Sequence, residues 1–165
     1  MSWWVRHIGW WPPLLGTGIR VTRLDKDLRA VDVEMRLTRW NKNYRGVHFG
    51  GSLFAMTDPF YMLMLATNLG PEYVVWDKAA SIRYRKPGVG RVRAEFRLSE
   101  ERLAEIRAVV EAEGRYDARF VVEVKDDGGA RWSRRWSGWC IARRKVCMKR
   151  EKMRVWWRDN FSAIC

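Results

Sequence analysis

Asp58 is the only acid in a long, otherwise apolar stretch, and it follows Gly51 by seven residues. Seven residues are close to two helical turns, so on a helix both positions lie on one face. Gly50 and Gly51 precede Ser52 and the apolar run Leu53, Phe54, Ala55, Met56 and then Phe60 to Ala66. Two glycines allow a tight turn into a helix, and the first N–H groups of a helix have no intrahelical partner. Such an N-terminus can hold a carbonyl oxygen as negative charge develops on it. A carboxylate two turns further on can then serve as general base or as nucleophile. The plainer alternative is that Asp58 satisfies a buried polar contact near a kink. Pro59 predicts that kink, because it withholds a hydrogen bond from the Ala55 carbonyl and disfavours helical geometry at Asp58.

The elements that must hold these residues can be read from the patterning. The run from Gly50 to Leu69 is apolar on nearly every side, which predicts one long buried helix ending at Gly70-Pro71. Before it, Gly16 to Arg23 and Leu28 to Arg39 alternate as half-buried strands, with Asp25-Lys26-Asp27 as the turn between them. Residues 1 to 15 carry Trp3, Trp4, Trp10 and Trp11 and stop at Pro12-Pro13. They read as a short apolar lead-in packed on the domain, with an acyl pocket or a membrane as other uses for the tryptophans. Trp40 to Phe49 is the loop that feeds the helix.

After the helix, Glu72 to Arg85 reads as a strand, Lys86 to Gly90 as a turn, and Arg91 to Leu98 as an alternating strand. Ser99 followed by Glu100 and Glu101 is a helix start, and Glu113-Gly114 its end. Ala118 to Lys125 is a further strand, with a hairpin turn at Asp126-Asp-Gly-Gly129. That turn requires a last strand over 130 to 145, although Trp132, Trp136 and Trp139 recur at helical spacing. The order predicts an α+β domain, an antiparallel sheet wrapped around one central helix, over residues 1–145. Residues 146–165 form a tail that reads as disorder, a short surface helix, or a basic amphipathic helix built on Met148, Met153, Trp156 and Trp157.

Composition bounds the function. A chain of 165 residues is one domain with a real core. Cys140, Cys147 and Cys165 are odd in number and form no Cys-x-x-Cys, which points to neither zinc nor a disulfide framework, and to reducing cytoplasm. The start, Met1-Ser-Trp-Trp-Val-Arg-His, lacks the pattern of a signal peptide, and the central helix is too interrupted to span a membrane. The net charge is +13, and the run 143–158 carries eight basic residues against Glu151. A basic chain attracts nucleic acid, anionic membrane or the phosphates of coenzyme A. No nucleic-acid recognition motif accompanies that charge, so only non-specific binding is expected from it.

The motif Asn43-x-x-Gly46-x-x-x-Gly50-Gly51-x-Leu53-Phe54-x-x-x-Asp58 resembles the active-site segment of hotdog-fold acyl-CoA thioesterases of the phenylacetyl-CoA type. The longer text through Met62-Leu63-Met64-Leu65, with Val75 to Ala80 and Lys86-Pro87-Gly88, resembles one branch of that superfamily more closely. That branch is catalogued as a domain of unknown function and often labelled tetrameric acyl-CoA thioesterase. The likeness runs from about Trp11 to Lys145 and is strongest over 41 to 98. It implies a hotdog fold, a homodimer or homotetramer with sites between protomers, an acyl-CoA or acyl-carrier thioester as substrate, and no cofactor or metal. It assigns Asp58 as base or nucleophile, Gly51 as the amide that polarises the carbonyl, and Asn43 to position water or substrate. His48 is a further candidate at the thioester, because the family's His before Gly-Gly is replaced here by Phe49. Gly50 and Phe49 would touch substrate, and Lys78, Arg85, Lys86 and Arg91 would meet coenzyme A phosphates. On spacing alone, Asn43 and His48 read equally as loop residues and each cation as a solvated charge. A dehydratase dyad of the same fold would put its acid fourteen residues after His48, and that residue is Met62. The other surviving reading is a module that binds acyl-CoA or an acylated carrier without catalysis, and Met56, Phe60 and Met64 would line its pocket or the enzyme's.

Overall fold

Among the described residues six strands form a single antiparallel sheet in the order β1-β2-β4-β5-β6-β3. The computed structural model describes residues 2–128 and 131–143; the tail 146–165 with Cys147 and Cys165, and Gly129 of the hairpin turn, lie outside them. The chain opens with α1 (Ser2–Arg6), a 3-10 turn (Ile8–Trp10) and α2 (Pro12–Leu15). These pack beside β1 (Ile19–Leu24), which pairs with β2 (Ala30–Arg36). Both strands are shorter than the alternation predicts. Gly18 takes a positive φ of +72° and the Thr17 hydroxyl donates to the Leu14 carbonyl at 2.5 Å, so the chain is still turning where the strand was expected. At the other end Leu28, with φ +54°, belongs to the hairpin turn.

The helical segment after the loop is two helices, not one. α3 (Gly50–Ala55) stops before Met56, and α4 (Pro59–Leu69) begins at the proline. Around the break the bonds tighten to three-residue spacing: Thr57 N–H to Phe54 O at 3.0 Å and Asp58 N–H to Ala55 O at 3.2 Å. The buried Thr57 hydroxyl also donates to Phe54 O at 2.9 Å. The interruption falls where Pro59 predicts a kink, because proline has no N–H to continue the ladder. Gly70, φ +91°, then ends α4.

The second half follows the sequence closely. β3 is Tyr73–Arg83, β4 Arg91–Arg97, α5 Glu100–Glu113, β5 Arg115–Asp126 and β6 Arg131–Arg143. Ser99 caps α5 by accepting from the Arg102 N–H at 3.2 Å, and Gly114 closes it in the left-handed region with φ 74°. β6 is extended despite its helical tryptophan spacing, because it is hydrogen-bonded to β5 on one side and β3 on the other. Ladder pairing on both edges outweighs a local period.

The core lies between one face of this sheet and the helices. Val31, Val33 and Met35 of β2, Val92, Ala94 and Phe96 of β4, and Phe120, Val122 and Val124 of β5 face Phe60, Met64 and Leu65 of α4 and Leu103, Ile106 and Val110 of α5. Phe60 stands 4.9 Å from Phe96, ring centre to ring centre. The opposite face of the sheet is solvated and charged, with pairs such as Arg97 with Asp32 and Arg93 with Asp127. An antiparallel sheet wrapped on a central helical segment, α+β in class, is the hotdog fold expected of this sequence. No helix among the described residues is long and apolar enough to cross a membrane.

Candidate functional site

The loop between β2 and α3 is pinned by two asparagines. Asn41 is buried, and its Nδ2 donates to Thr17 O at 2.7 Å and Arg36 O at 2.8 Å while its Oδ1 accepts from Thr38 N–H at 2.7 Å. Its carbonyl accepts from Phe49 N–H at 2.8 Å, which sets the residue before the glycine pair. Asn43 bonds its own loop: Oδ1 accepts from Arg45 N–H at 2.9 Å and Val47 N–H at 3.3 Å. Gly46, with φ +80°, closes that turn. The side chain of Asn43 is therefore engaged in holding the Asn-x-x-Gly turn. Sequence reasoning singled out Asn43 and passed over Asn41, whose only signal is a second Asn two positions earlier.

His48 sits under the β3–β4 connection. Its backbone N–H donates to Gly88 O at 2.9 Å, and its Nε2 is 3.1 Å from Gly90 O. A carbonyl accepts only, so Nε2 carries the proton and Nδ1 the lone pair. His48 is 3 % exposed, and its Nδ1 is buried without a hydrogen-bond partner. Burial holds the imidazole pKa below its ordinary value, opposed in part by the bond to Gly90. The ring is neutral, with one unused acceptor. Gly88 lies close against His48: a Cβ there would stand 3.3 Å from His48 Cβ and 3.4 Å from its Cδ2, so the ring would have to give by a few tenths of an ångström.

Gly50 and Gly51 are the first two residues of α3, and each lies against an aromatic ring. A Cβ on Gly51 would stand 2.3 Å from Phe49 Cε1 and 2.9 Å from its Cζ. One on Gly50 would stand 3.3 Å from the Tyr84 ring, whose hydroxyl donates to Gly50 O at 2.8 Å. Phe49 and Tyr84 both expose the rest of their rings to solvent. Tyr84 carried no sequence signal beyond its place at the end of a strand. Asp58 occupies the break between α3 and α4 at the N-cap of α4, half-buried, just past the far end of the six-residue α3 that the glycine pair opens. A helix of that length spans about 9 Å.

The cations divide. Lys78 Nζ is 2.5 Å from Asp117 Oδ2, so its charge is already matched. That contact, first among several, holds the Asp117 carboxyl below the usual range. Cys140 faces Asp117 across β5 and β6, and burial first, then the nearby carboxylate, push its thiol up to about 11. It is a thiol at neutral pH, not a nucleophile. Arg91 is half-buried beside Glu34 at 3.8 Å. Arg85 and Lys86 are exposed in the β3–β4 connection, on the same stretch as Tyr84 and Gly88. Met56, Phe60 and Met64 are fully buried in the core and line no open surface in the protomer. Among the described residues no three His, Cys, Asp or Glu side chains converge as a metal site would require.

The family model described as Domain of unknown function (DUF4442) matches residues 4–139. No curated protein matches the chain. Among solved structures, a Pseudomonas aeruginosa protein described as of unknown function and a probable thioesterase superposes with a TM-score of 0.74 at 19 % identity, covering 87 % of this chain and 96 % of that one. A thioesterase from Haemophilus influenzae gives 0.60 at 12 % identity, covering 86 % and 89 %. The PaaI protein from the phenylacetic acid degradation operon of E. coli gives 0.56 at 15 % identity, covering 86 % and 92 %. At these identities the likeness is one of fold.

Proposed function

The chain belongs to the Domain of unknown function (DUF4442) family, and we propose that it hydrolyses acyl thioesters, with acyl-CoA or an acylated carrier protein as substrate. The observation that carries this reading is the glycine pair opening α3, with Asp58 at the end of that short helix. The fold shared with proteins described as thioesterases supports it.

In this mechanism the Gly51 N–H donates to the thioester carbonyl and stabilises the oxyanion that forms there. One such donor is worth about 3 kcal/mol of barrier. Asp58 acts from the facing protomer of a homodimer. It takes a proton from the attacking water, or attacks the carbonyl itself and is released by water in a second step. The carbon–sulfur bond breaks, and the thiolate leaves to be protonated by solvent. Asn43 serves by fixing the loop that presents the glycines. His48, buried beneath the loop, serves by bonding Gly88 and Gly90 and so holding the β3–β4 connection against it. Arg85 and Lys86 meet the coenzyme phosphates. The catalytic domain spans 1–145, works as a homodimer or homotetramer in the cytoplasm, and has no specific nucleic-acid partner.

One observation favours the other reading. The Phe49 ring lies against the open side of Gly51, which suits a module that holds an acyl group without turning it over. Hydrolysis across a panel of acyl-CoA thioesters, wild type beside Asp58→Asn, separates the two. The thioesterase reading expects turnover that falls at least about a hundredfold in the variant. Binding without turnover on every thioester in the panel would leave the non-catalytic module.

A further inference from the structure

Five large apolar side chains stand out in solvent on two segments: Trp10 (80 % exposed), Trp11 (54 %) and Leu15 (62 %) before β1, and Trp40 (75 %) and Tyr44 (91 %) after β2. The sheet brings the two segments to one end. Ile19 at the start of β1 pairs with Met35 near the end of β2, so the segment before β1 and the segment after β2 leave the sheet together. Asn41 then clasps them, bonding Thr17 O on the first and Thr38 N–H on the second, with Phe49 N–H on its own carbonyl. Single exposed apolar residues are ordinary, but five on two clasped segments are not.

The two segments themselves carry charge of one sign. Residues 1–22 and 37–57 hold Arg6, Arg20, Arg39, Lys42 and Arg45 and no Asp or Glu. Asp58 follows at the α3–α4 break, and of the sheet acids at this end Glu34 lies 3.7 Å from Arg36 and 3.8 Å from Arg91, Asp126 is opposite Val92, and Asp127 is 3.0 Å from Arg93. Asp25 and Asp27 are at the opposite hairpin. Two of the exposed rings carry a guanidinium on their face, Arg39 over Trp40 at 5.1 Å and Arg45 over Tyr44 at 5.4 Å.

We propose that this end of the domain docks on an anionic phospholipid surface. Indole and phenol rings settle at headgroup depth, where one end is apolar and the other wet. Arginines stacked on those rings meet lipid phosphates at the same depth, and nearby basic residues add attraction to an anionic leaflet. A second copy of the chain belongs, in the proposed dimer, at the glycine pair; on the Trp10 to Trp40 side an isologous contact would bring Arg6, Arg39, Lys42 and Arg45 against their own copies. A polyanion without an apolar phase would leave Leu15 and the tryptophan rings wet. The proposal does not rest on the hydrolysis reading, since binding is measured without turnover.

The test is co-sedimentation of the full chain with vesicles of zwitterionic phosphatidylcholine, and of the same lipid mixed with phosphatidylglycerol. Binding to the anionic vesicles alone is expected, falling about tenfold or more in the triple variant Trp10→Ser, Trp11→Ser, Trp40→Ser. These side chains are exposed, so the variant should keep its melting temperature. If it does not, single Trp40→Ser and quenching of wild-type fluorescence by lipids brominated in their acyl chains carry the test. Binding that survives the tryptophan substitutions assigns it to the basic run 143–158 and overturns the proposal. So does failure of the wild type to bind, loss of self-association in place of vesicle binding, or binding to a single-stranded oligonucleotide in its place.

Discussion

Phe49 and Gly51 compete for one space: the Phe49 ring takes the position a Cβ on Gly51 would need, 2.3 Å from Cε1. Gly51 is nonetheless helical, without a positive φ. Alanine in this first turn should gain helix propensity, less than the ~1 kcal/mol of a helix interior, so any loss is steric. Gly51→Ala is expected to destabilise the wild type and to be neutral or stabilising in a Phe49→Ala background. The double-mutant cycle, read by urea unfolding, should show a coupling of about 0.5–3 kcal/mol. Additive effects would mean that the ring yields freely.

Asn41 is predicted to matter more to stability than Asn43. Removing its side chain leaves Thr17 O, Arg36 O and Thr38 N–H without partners in a part-buried setting. Asn41→Ala should cost about 2–3 kcal/mol in urea unfolding. Asn41→Asp should be no better, because a carboxylate cannot donate to the two carbonyls. Asn43→Ala loses a local turn bond at a more exposed site and should cost about 1 kcal/mol or less.

Much of the scaffold was legible in the residues. The α5 boundaries follow from Ser99 and Gly114, whose cap chemistry is local, and the alternation in β4 from its two unlike faces. What escaped is non-local. The β1 and β2 ends depend on a clasp from Asn41 to Thr17, across 24 residues, and the cover on Gly50 comes from Tyr84, 34 residues away. No period in the chain encodes such contacts. The tryptophan spacing of β6 misleads because it reports a local repeat, whereas two neighbouring strands decide the conformation. The central helix read from Gly50 to Leu69 proved to be two, and Met56, Phe60 and Met64, whose facing no period in the chain decides, lie in the core.

His48 should make the fold acid-sensitive. Its folded pKa is lowered, so between that value and the unfolded value of about 6.5 the unfolded chain binds a proton that the folded chain does not. The stabilising effect of neutral His48 is whole above about pH 6.5 and is lost as pH falls below it. Melting temperatures of wild type and His48→Gln, compared from neutral to mildly acid pH, should converge on acidification. A gap independent of pH would mean that His48 titrates alike in both states.

Lys78 should be dispensable for substrate, and the β3–β4 connection should not. The Lys78 ammonium of β3 is matched at 2.5 Å by Asp117 of β5, across β6, which holds buried Cys140. Recruiting it to a phosphate would break that pair and leave the carboxylate beside the new anion. Arg85 and Lys86 are exposed on the stretch whose Tyr84 and Gly88 pack against the glycine pair and His48. With acyl-CoA as substrate, Lys78→Ala should leave KM unchanged and cost about 1 kcal/mol of stability at most, as a half-exposed pair does. Arg85→Ala with Lys86→Ala should raise KM several-fold at unchanged kcat, and the rise should shrink as salt screens the phosphates. A KM that responds to Lys78 alone would move the phosphate contact out to the open face of the sheet, away from the glycine pair.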